Sequence, residues 1–283
     1  MKVYSKRLEI SQAVANLRKT SKTIGFVPTM GALHKGHASL IDFALEQQCD
    51  SVIVSIFVNP TQFNNKEDLK HYPRTLEADL DFLKPYGDKI IVFTPDAQEV
   101  YGDEVKSKDY NFQGLDKVME GAFRPGHFEG VGTVLSHLFT IVKPDKAFFG
   151  EKDFQQLQII RKLVEIEAIP VEIIGAPINR NDDGLAESSR NQRLTPEYRE
   201  AAPFIYKTLR QVKADFSIKS IEDLKSWVIE QFAAHELLKL EYFEIADPHT
   251  LKSAKNDQKS GDFRAFIAVF AGDVRLIDTL ALT

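Results

Sequence analysis

The chain has 283 residues, 43% hydrophobic and 27% charged, a balance that suits a sizeable core in one large α/β domain or in a larger and a smaller one, and excludes disordered and fibrous classes. With 36 Lys and Arg against 41 Asp and Glu the formal net charge is −5, so nucleic acid is not an expected partner and any bound anion must be held by a local site. The single Cys49 excludes an internal disulfide and every multi-cysteine metal site; no apolar stretch of signal-peptide length follows Met1–Arg7 and no apolar run of about 18 residues occurs, so no membrane partner is expected and the expected location is cytoplasmic.

Ile10 to Leu17 reads as a short helix, and Thr23-Ile24-Gly25-Phe26-Val27 as a strand. Pro28-Thr29-Met30-Gly31-Ala32-Leu33-His34-Lys35-Gly36-His37 is then a glycine-bearing turn that opens into the periodic run Leu40-Ile41-Phe43-Ala44-Leu45. The first N–H groups of a helix lack partners within it and lie at its positive end, so such a turn is a candidate phosphate site. His34 and His37, three apart, fall on one face and could donate to a phosphate; by spacing alone they are also compatible with plain turn residues. The zinc pattern of two histidines four apart, with a Glu after the first, is not matched, since Lys35 stands there.

Ser51 to Val58 is a nearly continuous β-branched run suited to a strand buried on both faces of a parallel sheet, and it ends at Asn59-Pro60-Thr61-Gln62-Phe63. Ligands in such sheets sit beyond the strands' carboxyl ends, so Asn59 and Gln62 are either substrate contacts or a polar turn closed by Asx chemistry. Tyr72-Pro73-Arg74-Thr75 precedes a helix over Leu76 to Leu83, Lys89 to Phe93 is another buried strand, and Val105 to Phe112 alternates weakly as an edge strand would. Met119 to Gly132 is glycine-rich, but Leu135 occupies the third glycine of a dinucleotide fingerprint, which leaves a mobile or substrate-contacting loop followed by a helix over Val131 to Val142.

Lys146 to Phe149 is a further strand, and Gly150-Glu151-Lys152-Asp153 turns into an amphipathic helix carrying Phe154, Leu157, Ile160, Leu163 and Val164. Lys152 and Asp153 thus stand at a second junction of strand end and helix start, as a binding pair or as a solvated one. After the strand Val171 to Ile174 and the stretch Ala176 to Arg180, the residues Asn181 to Asn191 are small, polar and compatible with a moving loop; their Ser188, Ser189 and Arg190 offer hydroxyls and a forked cation to phosphate oxygens, or a helix cap. Helices over Tyr198 to Val212 and Ile221 to Ala234 and strands over Leu240 to Ile245, Phe263 to Phe270 and Val274 to Ile277 no longer alternate, which places a domain boundary near Ile178 and divides the chain into 1–178 and 179–283.

The His34-x-Gly36-His37 turn between strand and helix resembles the signature of the nucleotidyltransferase superfamily. The longer set of Pro28 to His37, Phe57-Val58-Asn59-Pro60-x-Gln62-Phe63, Tyr72-Pro73-Arg74-Thr75, Arg124-Pro125-Gly126-His127-Phe128, Phe149-Gly150-Glu151-Lys152-Asp153-x-Gln155-Gln156 and Ser188-Ser189-Arg190-Asn191 closely resembles the pantoate–β-alanine ligase family over most of the chain, in matching order. That resemblance implies an α/β fold: a Rossmann-like parallel-sheet domain for ATP and pantoate, followed by a smaller α+β C-terminal domain that closes over ATP, in a homodimer. It implies an AMP-forming ligation of pantoate and β-alanine through a pantoyl adenylate, with ATP and Mg²⁺ as substrate and cofactor.

Residue by residue, it implies His34, His37, Lys152 and Arg190 as the catalytic set. Met30, Gly31, Ala32, Leu33, Lys35, Gly36, Gly150, Glu151, Asp153, Asn179, Glu187, Ser188 and Ser189 complete the ATP contacts, Asp153 at the ribose. Gln62 and Gln156 would hold pantoate, Gln62 also β-alanine, and Asp79 is a candidate for the metal's outer shell. Two positions depart from the family: Glu187, before the Ser-Ser-Arg element, and Asn179 both stand where an apolar residue is usual, and an acid near a triphosphate should weaken ATP binding unless it turns outward or pairs with Arg190 or Arg193. The rival readings are a nucleotidyltransferase that keeps the nucleotide in its product, which needs no amine acceptor, and a non-catalytic nucleotide- or RNA-binding module, which the acidic balance disfavours.

Overall fold

The computed structural model describes residues 1–63, 69–70, 72–255 and 261–283, and these form two compact units, Met1–Gly150 with Gln156–Ala176, and Glu151–Gln155 with Pro177–Thr283. The first is a parallel sheet of β1 (Lys2–Tyr4), β2 (Ile24–Thr29), β3 (Ser51–Ile56), β4 (Ile90–Phe93), β5 (Lys146–Gly150) and β6 (Glu172–Ala176) in the order β1-β4-β3-β2-β5-β6. Helices Arg7–Lys19, Lys35–Glu46, Leu76–Leu83, His127–Val142 and Phe154–Ile166 provide the crossovers. Ile24, Phe26, Val27, Val52, Ile53, Val54, Val92, Phe93, Ala147 and Phe148 are wholly buried, which is why these strands read as continuous apolar runs rather than alternating ones.

From β2 the chain steps outward through β3 and β4 on one side and through β5 and β6 on the other. The order therefore reverses between the neighbours β2 and β5, where Gly25 pairs with Lys146 and Phe26 with Ala147. In open parallel sheets the crevice beyond the carboxyl ends at such a point is where ligands bind. β2 ends there at Thr29, and β5 at Gly150.

The second unit is α+β. Helices Pro196–Ala201, Phe204–Asp215 and Ile221–Ala233 share a core with the antiparallel sheet β7 (Leu238–Ala246), β8 (Arg264–Ala271) and β9 (Val274–Ala281), built on Leu209, Val212, Leu224, Val228, Ile245, Ile267 and Val269. It also takes up Glu151–Gln155, which the sequence grouped with the first domain. The physical ties are an ion pair of Glu151 with Arg264, 3.0 Å, and an edge-on contact of the Phe154 and Phe266 rings.

Several local expectations are corrected. β1 is a three-residue edge strand, too short to show a period. Val105 to Phe112 forms no strand; Tyr110 and Phe112 instead lay their rings against Gly132. The helix expected over Tyr198 to Val212 is two helices, broken before Phe204 because Pro203 lacks an N–H to donate. The glycine-rich stretch is no loop: helix His127–Val142 begins four residues earlier than the periodicity suggests, capped by the left-handed Gly126. Gly130 lies inside that helix because a Cβ there would stand 2.3 Å from the Thr61 carbonyl oxygen and 2.7 Å from Gln62 Cα.

Candidate active site

The turn after β2 is held by its own hydrogen bonds. Gly31 and Ala32 both take positive φ, 82° and 50°, which swings the chain back over the strand end. A side chain at Gly31 would be strained by that φ and would press its Cβ to 3.0 Å from Asp79 Oδ2. The carboxylate of Asp79, itself buried, accepts from the N–H of Ala32 at 3.0 Å and of Leu33 at 2.7 Å. The Gly31 N–H goes to Thr29 Oγ1, whose hydroxyl in turn donates to the Ser55 carbonyl. Asp79, expected as an outer-shell metal candidate, is therefore the buried anchor of this turn, its two oxygens engaged by backbone.

Helix Lys35–Glu46 starts with His34 as its N-cap. The Gly36 N–H donates to His34 Nδ1 at 3.1 Å, and the His34 N–H donates to His37 Nδ1 at 3.3 Å, a reciprocal box in which imidazoles replace the usual hydroxyl and carboxylate. The rings stand 4.1 Å apart between centroids, as the three-residue spacing predicts. Because each Nδ1 accepts a backbone N–H, the neutral imidazoles carry their protons on Nε2. The N–H groups of Gly31, Ala32, Leu33, His34 and Gly36 already have acceptors within the protein, so the turn is not the run of open backbone amides that its glycines suggest.

Next to it, beyond β3, a 3₁₀ turn over Pro60–Gln62 buries Gln62. Asn59, expected as a substrate contact or an Asx turn, takes the second part: its Oδ1 accepts from the Thr61 N–H, the Thr61 hydroxyl and the Tyr101 hydroxyl. Its Nδ2 donates to Gln62 Oε1 at 3.0 Å and to the Gly130 carbonyl at 3.2 Å. That fixes which way the Gln62 amide faces, and Gln62 Nε2 points at the Met30 sulfur, 3.0 Å away. His127 donates from Nδ1 to the Gln62 carbonyl at 2.9 Å. Burial pushes the Tyr101 phenol up to about 12, so it stays a neutral donor. Tyr101, His127 and Gly130 were missed as site-building residues; only the Arg-Pro-Gly-His block hinted at one of them. Gln156 is half-buried in the first turn of the helix after β5.

In the second unit, Glu151–Asp153 form a 3₁₀ turn directly after β5. Lys152, its side chain 16% exposed, pairs through Nζ with Asp153 Oδ2 at 3.1 Å. Arg264, the first residue of β8, is buried; it lies over the Phe154 ring at 3.9 Å and donates to Glu151. Burial lowers the pKa of the Arg264 guanidinium, and the Glu151 carboxylate opposes the shift.

The stretch expected to be a moving loop is a tight hairpin. Asn181 N–H donates to the Leu185 carbonyl, Glu187 N–H to the Asn179 carbonyl, and Arg180 forms a bridge with Ala186. Arg180 ties it down by a two-pronged pair with Asp278, at 2.6 and 2.8 Å, while covering the Tyr206 ring. Gly184, at φ 93°, closes the turn where a Cβ would be 2.5 Å from Tyr206. The two departures from the family pattern, Asn179 and Glu187, are thus hydrogen-bonded neighbours across this hairpin. Ser188 then caps the 3₁₀ turn Ser189–Arg193 by accepting the Arg190 N–H at 3.3 Å, and Arg193 pairs with Asp273.

A parallel sheet whose switch-point strand runs into a histidine-capped helix start belongs to the α/β class in which ligands bind beyond the strands' carboxyl ends. The pantoate-beta-alanine ligase family model matches residues 2–281, and the chain belongs to that family. It is 54% identical over 282 residues to the pantothenate synthetase of Christiangramia forsetii, covering 100% of this chain and 99% of that one. Among solved structures, the pantothenate synthetase of Thermus thermophilus matches with a TM-score of 0.91 at 37% identity, covering 100% of this chain and 99% of that one. The pantoate-beta-alanine ligase of Francisella tularensis, complexed with beta-gamma ATP and beta-alanine, matches with a TM-score of 0.81 at 36% identity, covering 100% and 98%. Among the described residues, no helix is long and apolar enough to cross a membrane.

Proposed function

We propose that this ligase joins pantoate to β-alanine in two steps, with the ATP α-phosphorus as the first electrophile. The pantoate carboxylate attacks it and pyrophosphate leaves; the β-alanine amine then attacks the acyl carbon of pantoyl adenylate and AMP leaves. ATP-dependent condensation of pantoate with β-alanine, in pantothenate biosynthesis, is the activity of its family. The observation that supports the adenylate route is the pair of imidazoles fixed at the helix start beyond β2, each held in place by a backbone N–H on its Nδ1.

A carboxylate attacking a phosphate must overcome repulsion between anions, so preorganised donors and cations at the developing charge supply the catalysis. His34 and His37 are proposed as donors to the phosphoryl oxygens, Lys152 and Arg190 as cations, and Ser188 and Ser189 as hydroxyl donors to phosphate. Met30 to Gly36, Gly150, Glu151, Asp153, Asn179 and Glu187 complete the nucleotide contacts. Gln62 and Gln156 are proposed to hold pantoate, Gln62 also β-alanine, through neutral amides whose charge does not change in the reaction. Mg²⁺ is proposed to arrive with ATP, on the phosphates of its ATP complex. The family's expected homodimer and a cytoplasmic location belong to the same proposal.

The test asks when pyrophosphate leaves. Labelled pyrophosphate should exchange into ATP with pantoate and Mg²⁺ alone, with no β-alanine present. Exchange that requires β-alanine, release of ADP, or exchange supported only by a phosphorylated alcohol would overturn the route.

A further inference from the structure

We propose that Arg264 is a positioning residue for the ligation: seated on the Phe154 ring and paired with Glu151, it fixes the turn that presents Lys152. The inference rests on the adenylate reading only for what Lys152 does.

The geometry is local to the second unit. Glu151 and Phe154 bracket Lys152, and Arg264 holds both, one by an ion pair at 3.0 Å and the other by stacking at 3.9 Å. A 3₁₀ turn of three residues has little hydrogen bonding of its own to resist rotation, so two anchors on either side of the lysine set where its ammonium points. The direct partner of Lys152, Asp153, is 46% exposed and belongs to the same turn. Arg264 belongs to the sheet instead: it opens β8, paired with Ala246 of β7 and Ala281 of β9. The arrangement also looks selected for position rather than stability. The Arg264 side chain is 10% exposed, and its Nε is a buried donor with no acceptor, whereas Glu151 is 34% exposed. A buried guanidinium left partly unsatisfied is costly to keep in a fold that an apolar residue would serve as well.

The experiment compares Arg264→Met, Glu151→Gln and the double variant with the parent enzyme. Arg264→Met preserves bulk over Phe154 and leaves behind only a half-solvated carboxylate, so it should fold. A displacement of the lysine by about 1 Å is expected to slow pantoate-driven pyrophosphate exchange about 10- to 100-fold in Arg264→Met. β-Alanine attack on preformed pantoyl adenylate should stay within about threefold, because the charge stabilisation assigned to Lys152 belongs to the first step. Glu151→Gln strands a buried charge and should lower the Tm most; the double variant, with both charges gone, should regain Tm but not rate. A purely structural pair would return both together, and that result, or an exchange rate within threefold of the parent in Arg264→Met, overturns the inference. Amide hydrogen exchange over Gly150–Gln155 without substrates gives a reading that needs no reaction: it should accelerate in Arg264→Met, and unchanged protection there overturns the positioning role even if the parent takes a different acid. A parent that shows no pantoate-driven exchange would instead overturn the proposed substrate reading.

Discussion

The histidine turn and the lysine turn follow neighbouring strands of one sheet, yet they are built on opposite plans. After β2, backbone N–H groups bind side chains placed to receive them: Asp79 takes Ala32 and Leu33, His34 takes Gly36, and His37 takes His34. Removing any one of these acceptors leaves buried or half-buried donors wanting. After β5, the turn at Glu151–Asp153 is gripped by a distant side chain, Arg264, on Glu151 and on Phe154. The first plan couples chemistry to folding; the second lets them be separated by mutation. Arginine anchors recur in the second unit, where Arg180 on Asp278 holds the hairpin before Ser188.

The largest effects should come from the donors themselves and should expose this difference. His37→Ala and Lys152→Ala are each expected to slow adenylate formation by about 10²–10³-fold, the scale for one preorganised charge-stabilising donor. Only His37→Ala should also destabilise the protein, by about 1 kcal/mol, because it removes half of a helix capping box. Single-turnover kinetics and thermal melting on the two variants check both halves. Equal losses of Tm would erase the contrast.

Asp79→Asn comes next. An amide in place of the carboxylate turns one of the two acceptors into a donor facing a backbone N–H, at a site that is 3% exposed. The expected cost is about 1–3 kcal/mol of stability, the scale of an unsatisfied buried donor. The first half-reaction should slow about tenfold, since the turn that aims the imidazoles is no longer pinned. Chemical denaturation and pyrophosphate exchange read the two effects; a normal rate in a destabilised protein would reduce Asp79 to scaffolding. Gly130→Ala tests the neighbouring wall. Its methyl group must displace Thr61 and Gln62, so it should raise the pantoate KM several-fold and cost about 1–3 kcal/mol, with the ATP KM unchanged.

What the sequence disclosed and concealed divides along the same line. The β2 turn, the β5 junction and the buried strands were legible because they rest on local signals: a glycine-bearing turn, a three-residue histidine spacing and uninterrupted β-branched runs. Asp79 was visible only as an acid, since the donors it binds lie 46 and 47 positions away in the chain. Asn59 showed its Asx chemistry but not its grip on Gly130, 71 positions on, and Arg264 gave no signal at all because its partner is 113 positions distant. The glycine-rich stretch misled for a related reason. Its glycines mark close approach of helix His127–Val142 to the Gln62 turn rather than freedom to move, and nothing within the stretch distinguishes the two. The hairpin before Ser188 likewise reads as mobile until Asp278 is brought to Arg180 by the fold.

The smallest expected effect concerns the hairpin's acid. Glu187 is tied to Asn179 through backbone, and of the two arginines that could offset its charge, Arg193 is paired with Asp273. If its carboxylate faces the bound triphosphate, Glu187→Leu removes a repulsion that solvent already screens in part, so the apparent ATP KM should fall about two- to fivefold at low salt, the scale of one partly exposed charge pair. The gain should vanish near 1 M salt, where the Debye length shrinks to about 3 Å. Adding Arg193→Gln to the parent sharpens the point: if Arg193 attracts the nucleotide, the KM rises, and if Asp273 has already cancelled it, the KM stays put. A salt-independent change in Glu187→Leu would assign the effect to packing of the new apolar side chain. A raised KM would mean that the carboxylate organises the Ser188 turn, since the hairpin backbone is already held in place through Arg180 and Gly184 and does not need the Glu187 side chain for its own shape.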